Sequence, residues 1–316
     1  MASAADSPRA RRLLATAEEQ LPQLYPEFSL EPIDSGYLHD SVFVDHPEGR
    51  AVYKVLNTGL EEFAAPPIVE IVANTKRAGE CGVGARLLAE FPEVPAIVLE
   101  YVDGPALEVE QVQQPETLER IVDAVRRLHT DAEPFASRFD GFEWFERWRG
   151  LCLERGYAEP EGGAVLAAGI ERIRAALSAD PPADVPCHGD LLPGNILDTG
   201  SEIRLIDYDY AGMAEPAWDL GGLASENALS PELVELACRR YWGEEASERD
   251  IARVTAYAVV FHVILGQLVW ALRGAIPDLL PDEVWGELVA EFEERWEIAA
   301  TALADPDFEQ VLAAAR

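Results

Sequence analysis

Lysine is nearly missing from this chain. Only two of its 25 basic residues are lysines, Lys54 and Lys76; the rest are arginine. Basic charge as a whole is scarce, since 58 acidic residues leave a formal net charge of −33 and a sequence pI near 4.3. A surface of that sign repels nucleic-acid phosphates and anionic membranes, so neither is expected as a partner. So much acid with so little lysine also points to adaptation to high salt, where screening weakens self-repulsion. Cysteine is sparse as well. Cys81, Cys152, Cys187 and Cys238 stand far apart without metal-ligand spacing; they read as buried or free thiols in a reducing compartment. The opening MASAADSPRARRLL has no long apolar core for export, which makes a cytoplasmic location the expectation. There are no internal repeats. Long apolar runs are confined to residues 254–272, which contain no Asp, Glu, Lys or Arg. That length just reaches a membrane span, but Thr255, His262, Gly266 and Gln267 interrupt it. A helix apolar all round is also a buried core helix, and that is the reading adopted. No G-x-x-x-x-G-K-[ST] occurs, which disfavours a P-loop NTPase. Gly79, Gly82 and Gly84 sit between a helix and a strand, the wrong order for a dinucleotide fingerprint, and read as a turn.

What is present concentrates between residues 188 and 219. His188-Gly189-Asp190-Leu191-Leu192-Pro193-Gly194-Asn195 fits the kinase catalytic-loop template H-x-D-L-x-x-x-N. Asp207 follows a short apolar strand over 203–206, where that template places a magnesium-binding Asp. Phosphoryl transfer from ATP needs a carboxylate to orient the acceptor hydroxyl, an amide and a carboxylate for Mg²⁺, and a cation on the donor phosphates. Isolated Asp matches are cheap in so acidic a chain; the joint match of loop, strand and second Asp is not. Upstream, Val52-Tyr53-Lys54-Val55 alternates like a strand and keeps a lysine where the kinase V-A-I-K strand does. A compact ammonium suits the α- and β-phosphates there, and a guanidinium fork is not its equivalent. Lys76 reads as an ordinary exposed helix residue.

Gly after His188, the Pro-Gly-Asn loop end, and the runs LLPGNIL, LIDYDYAG and EPAWDL together resemble the aminoglycoside phosphotransferase and choline kinase superfamily. The wording is nearest to its bacterial choline/ethanolamine kinase branch. The resemblance implies an α+β, two-lobed, protein-kinase-like fold. A small antiparallel-sheet nucleotide lobe would span 1–102 and a larger, mainly helical lobe 103–316, with the catalytic loop and the acceptor site. It implies ATP and Mg²⁺ as cofactors, Asp190 as catalytic base, and Asn195 and Asp207 as metal ligands. His188 would brace the loop. Asp209 would join a second metal or the acceptor pocket, and Asp219 would be a structural or substrate-side acid. Lys54 would hold the donor phosphates, itself held by Glu70 from a helix over 66–78, with Glu61 and Glu62 as competitors. The main chain from Glu100 to Val102 would bind adenine at an inter-lobe hinge, which the apolar strand ending in Asp103-Gly104-Pro105 independently supports. The chain departs from the family in the hairpin over 33–42, where only Gly36 remains of the glycine-rich turn, with Asp40 and Ser41 near the usual Asn.

The implied acceptor is a small-molecule alcohol, with a cationic one, choline or ethanolamine, preferred. Quaternary ammonium groups bind aromatic faces, and the candidates are Trp242, Trp270, Tyr257, Phe261, Tyr208 and Tyr210. An aminoglycoside, thiamine or a sugar is the alternative on the same scaffold. A nucleotide- or metabolite-binding protein without turnover is the reading from another class. A monomer or homodimer is expected.

Overall fold

The computed structural model describes residues 8–33, 39–59, 66–244, 246–277 and 280–316. Gly36, Glu61 and Glu62 lie outside these residues.

A two-residue period builds the first part. Strands β1 (Ser29–Pro32), β2 (Asp40–His46), β3 (Gly49–Val55), β4 (Leu87–Phe91) and β5 (Ala96–Glu100) form an antiparallel sheet in the order β1-β2-β3-β5-β4. Ala51, Tyr53 and Val55 point to one face of β3 and pack with Val42, Val44 and Val98. Helix α1 (Pro8–Gln20) covers that face through Leu13 and Ala17. Alternation therefore turns Lys54 to the opposite face. There α2 (Ile68–Glu80) lays Ile71 and Val72 against Leu56 and Ile97. The turn after α2 needs its glycines: Gly82 has φ +78°, and a Cβ on Gly79 would stand 2.6 Å from the Ala85 carbonyl oxygen.

Beyond β5 the chain is mainly helical: α3 (Val109–Val112), α4 (Pro115–Asp131), α5 (Gly141–Glu154) and α6 (Gly163–Leu177) come first. Short strands interrupt, β6 (Val185–Cys187) pairing with β9 (Gly212–Ala214), and β7 (Ile196–Asp198) with β8 (Ile203–Leu205). Helices α7 (Pro216–Glu226), α8 (Pro231–Trp242), α9 (Glu248–Ala275), α10 (Asp282–Ala304) and α11 (Phe308–Ala314) complete it. The apolar run identified in the sequence lies in α9, the helix of the described residues long and apolar enough to cross a membrane. Here it is the core helix, packed by α5, α7, α10 and α11. Ser247 opens it with a reciprocal cap to Asp250, which satisfies first-turn N–H groups.

Several polar ties join the sheet and α2 to the helical part. Lys54 reaches the 207–209 turn. Buried Asn74 on α2 donates to the Ala211 carbonyl at 2.8 Å and accepts from the Ala136 N–H at 2.7 Å. Arg204 on β8 meets Glu100 at 2.6 Å and also donates to the carbonyls of Val83 and Gly84.

Candidate active site

Two β-ribbons present the two motif segments side by side. The loop 188–195 joins β6 to β7, and residues 206–211 join β8 to β9. The Ile206 N–H donates to the Asn195 carbonyl at 2.9 Å, locking one segment to the other. His188 is fully buried between them. Its Nε2 lies 2.9 Å from the Ile206 carbonyl and its Nδ1 accepts from the Asp190 N–H at 3.2 Å. Those partners fix the tautomer, and burial lowers the ring's pKa below its usual range. Gly189 has φ +80°, and a Cβ there would come within 2.4 Å of the Tyr210 carbonyl oxygen. Only glycine lets the two segments close at this point.

Asp219 holds the loop from beneath. At 1% exposure, its Oδ2 accepts from the His188 N–H and its Oδ1 from the Gly189 N–H, both at 2.8 Å, and His129 Nε2 lies 2.9 Å from Oδ2. His129 Nδ1 in turn meets the Tyr241 hydroxyl at 2.8 Å. The substrate-side role considered for Asp219 is therefore corrected. A fully buried carboxylate committed to two main-chain amides and an imidazole has no face toward an acceptor. His129, Asp219 and Cys187 carry ligand atoms within 4.8 Å of one another, but these hydrogen bonds already engage the first two.

Above the brace, Asn195 turns its Nδ2 toward Asp190, at 3.0 Å from the carbonyl and 3.1 Å from Oδ2. Its Oδ1 is left without a donor among the described residues. Asp207 occupies the left-handed region at φ +69°, a conformation a non-glycine residue adopts at a cost of about 1–3 kcal/mol. Lys54 Nζ lies 2.7 Å from Asp207 Oδ1 and 2.7 Å from Asp209 Oδ1, and His39 Nε2 is 3.5 Å from Asp209 Oδ2. Burial works against the ammonium, but the two carboxylates outweigh it and raise the Lys54 pKa. Burial also pushes Asp207 up, yet Lys54 holds it below the usual carboxylate range. Asp209 is lifted to about 7, by burial first and by the Asp207 charge second. Asp190 is raised well above the usual range by burial, then by Asp207 and Glu226.

The expected pairing of Lys54 with Glu70 is also corrected. Among the described residues the ion-pair partners of Lys54 are Asp207 and Asp209. Glu70 is half-buried in the first turn of α2, one turn before Asn74. A buried ammonium has to be met by carboxylates, and the two within reach come from the 207–209 turn. At the hinge, the Glu100 N–H already donates to the Arg86 carbonyl at 2.9 Å, while no main-chain hydrogen bond engages Val102 among the described residues. Val102 instead joins Ala85, Leu197, Leu99 and Ile206 in an apolar cluster beside this site.

The sequence model of the phosphotransferase enzyme family matches residues 29–255, more than half of the chain. The chain belongs to this family. Among curated proteins it is similar to ethanolamine kinase 2 of Rattus norvegicus, 29% identical over 218 residues, which is 62% of this chain and 55% of that protein. The matched part thus spans about half of that relative. Among solved structures, a choline/ethanolamine kinase family protein from Mesorhizobium loti superposes with a TM-score of 0.81 at 23% identity, covering 96% of this chain and 99% of the other. Choline kinase LicA from Streptococcus pneumoniae gives 0.71 at 17% identity, covering 90% and 99%. At those identities the likeness establishes the fold, which is the two-lobed α+β kinase-like fold expected from the motifs.

In this family member the aromatic candidates scatter. Tyr208, Tyr257 and Phe261 are buried in the core; Phe261 lies 4.2 Å from Trp218, and the Tyr257 hydroxyl donates to Glu215. Trp242 ends α8 edge-on to Tyr241 at 4.7 Å, and Trp270 packs on the core from α9. Both are half-buried. Tyr210 stays near Asp190, whose charge, after burial, raises its hydroxyl pKa. Two charged residues that pair with each other went unnoticed in the sequence, Glu226 and Arg295, joined by two hydrogen bonds of 3.0 Å. A signal was available for the first: Glu226 stands seven residues after Asp219, on the same face of a helix.

Proposed function

We propose that this chain is an ATP- and Mg²⁺-dependent phosphotransferase that moves the γ-phosphate to the hydroxyl of a small molecule. The observation that carries this is the convergence of Asp190 and Asn195 from one loop, Asp207 from the turn after β8 and Lys54 from β3. Residues 1–102 would form the nucleotide lobe and 103–316 the lobe carrying the acceptor site. Asp190 orients the acceptor hydroxyl and takes its proton; its raised pKa brings its basicity closer to that of a working general base. Lys54 supplies the cation for the donor phosphates. The Glu100 carbonyl and the Val102 N–H offer adenine an edge, and the Val102–Leu197 cluster offers its face an apolar floor.

The donor set suits Mg²⁺, a hard cation that takes oxygen ligands. Asp207 is a carboxylate held ionised, and Asn195, whose Nδ2 faces Asp190, has no donor to its Oδ1 among the described residues. Bound there, the ion would neutralise charge on the β- and γ-phosphates. Asp209 stands next to Asp207 and could contribute a further oxygen.

The relatives named as choline and ethanolamine kinases support an amino alcohol as the first acceptor class to test, with aminoglycosides, thiamine and sugars as the alternatives. The experiment is ATP consumption with Mg²⁺ across choline, ethanolamine, aminoglycosides, thiamine and simple sugars, at low and molar KCl. Phosphorylation of one acceptor, lost by about 100-fold or more in Asp190→Asn and Asp207→Asn with the fold retained, is the expected outcome. Near-normal turnover in Asp190→Asn would remove it as the base. ATP binding with no transfer to any acceptor would favour a binding protein.

A further inference from the structure

The hairpin that departs from the family supplies a histidine. Ser41 stands opposite Lys54 across the β2–β3 ladder. Alternation carries their shared face two residues back, to His39. His39, Lys54 and Asp209 are all buried, at 5%, 8% and 6% exposure. The chain just beyond β3 fixes the ring. The Asn57 N–H donates to His39 Nδ1 at 3.0 Å, and Asn57 Nδ2 donates to Asp40 Oδ2 at 3.3 Å. A ring nitrogen that accepts from an amide keeps its lone pair, so the imidazole is neutral and its proton sits on Nε2. Nε2 lies 3.5 Å from Asp209 Oδ2, while Asp209 Oδ1 takes Lys54 Nζ at 2.7 Å. The two carboxylates on Lys54 are therefore unequal. The Asp207 side chain is 37% exposed and the Asp209 side chain 9%. Asp207 keeps a face open to solvent. Asp209 is enclosed, with an ammonium on one oxygen and an imidazole facing the other.

We infer that Asp209 and His39 are the positioning residues of Lys54, and that Asp209 serves the lysine rather than supplying the metal ion with a further oxygen. This rests on the phosphotransferase reading and fills the part of it that a helix glutamate was expected to play. A lysine stem is flexible and its donors rotate, so an ammonium meant for phosphates has to be aimed. Asp207, the exposed carboxylate, belongs with Asn195 to the donor set for Mg²⁺. Whatever engages Asp207 leaves Lys54 to Asp209, and a buried ammonium needs that remaining partner. His39 keeps Asp209 Oδ2 from turning and so keeps Oδ1 on Nζ. A neutral ring does this without cancelling the carboxylate charge that holds the ammonium. A guanidinium in its place would compete for that charge.

Nucleotide affinity tests this without an acceptor. His39→Asn keeps an acceptor for the Asn57 N–H but falls short of Asp209. His39→Gln reaches Asp209 with an N–H but gives up the Asn57 tie. A non-hydrolysable ATP analogue with saturating Mg²⁺, and adenosine, which lacks phosphates, are titrated by calorimetry into the wild type and both variants, with and without Lys54→Met. His39→Asn weakens the analogue by about fivefold and leaves adenosine unchanged, while His39→Gln stays close to the wild type. In the Lys54→Met background neither change alters the analogue's affinity, because the effect passes through the lysine. The gain in analogue affinity on adding Mg²⁺ survives in Asp209→Asn and collapses in Asp207→Asn. Adenosine binding to each variant reports an intact fold. No loss in His39→Asn, a greater loss in His39→Gln, equal losses of analogue and adenosine, an undiminished effect without Lys54, or a Mg²⁺ gain that collapses in Asp209→Asn overturns this assignment alone. No binding of the analogue to the wild type overturns the phosphotransferase reading with it.

Discussion

Lys54 sits between two carboxylates whose titrations run in opposite directions. Asp209 is raised from 3.8 to about 7, so the folded state binds its proton more tightly than the unfolded chain does. Its contribution to stability is full below pH 3.8 and is lost as the pH climbs through about 7. Asp207 is lowered, so its contribution is present above 3.8 and is lost as the pH falls. The two windows separate the residues. Asp209→Asn should raise Tm relative to the wild type more at pH 7.5 than at pH 4.5, as read by differential scanning calorimetry in matched salt. An equal offset at both pH values would contradict the raised pKa. Gly189 makes a second test at this scale. Gly189→Ala sets a Cβ against the Tyr210 carbonyl at a positive φ; a loss of about 1–3 kcal/mol is expected in urea unfolding, with a larger fractional loss of turnover because Asp190 is the next residue.

At the scale of elements, α7 carries the brace. Asp219→Ala removes the acceptor for two buried N–H groups and leaves His129 Nε2 without its partner, and should cost about 3–5 kcal/mol by chemical denaturation. Asp219→Asn keeps one acceptor oxygen and should cost less, while still lowering kcat by misaligning the loop. What could be read from the sequence follows the same division. The catalytic loop, Asn195 and Asp207 were legible because their spacing is local, eight residues and one strand. Lys54 was legible because alternation fixes which way a strand residue points, and because it is one of two lysines. A helix over 66–78 was expected, and α2 occupies Ile68–Glu80. The partners of Lys54 were not, since a choice between Glu70 and Asp209 depends on how α2 and the 207–209 turn sit in space. Glu226 and Arg295 are 69 positions apart and meet only because α7 and α10 both pack on α9. The aromatic residues were ambiguous for the converse reason: Tyr257 and Phe261, buried here, are what a helical core also uses.

At the scale of the whole molecule the charge dominates. A net charge of −33 repels itself across the surface, while the ties between the two parts are short, mostly buried contacts that salt screens less. Raising KCl from 0.1 to 1 M shortens the screening length from about 10 Å to about 3 Å. Tm should therefore rise by several degrees over that range and level off beyond it. A fall in Tm across the same titration would mean that surface ion pairs, such as Arg240 with Asp123, outweigh the repulsion.

Helix α9 has a consequence for how the chain is made. Of the helices that wrap it, α5 and α7 precede it and α10 and α11 follow it. During synthesis the apolar run of α9 leaves the ribosome with one side covered and the other waiting for about forty more residues of chain to appear. A ribosome paused just after α9 presents a sticky intermediate, and a chain cut at residue 281 makes that state permanent. The last two helices thus act as a built-in chaperone for the helix before them, and the ion pair between Arg295 and Glu226 is one of the last contacts to form.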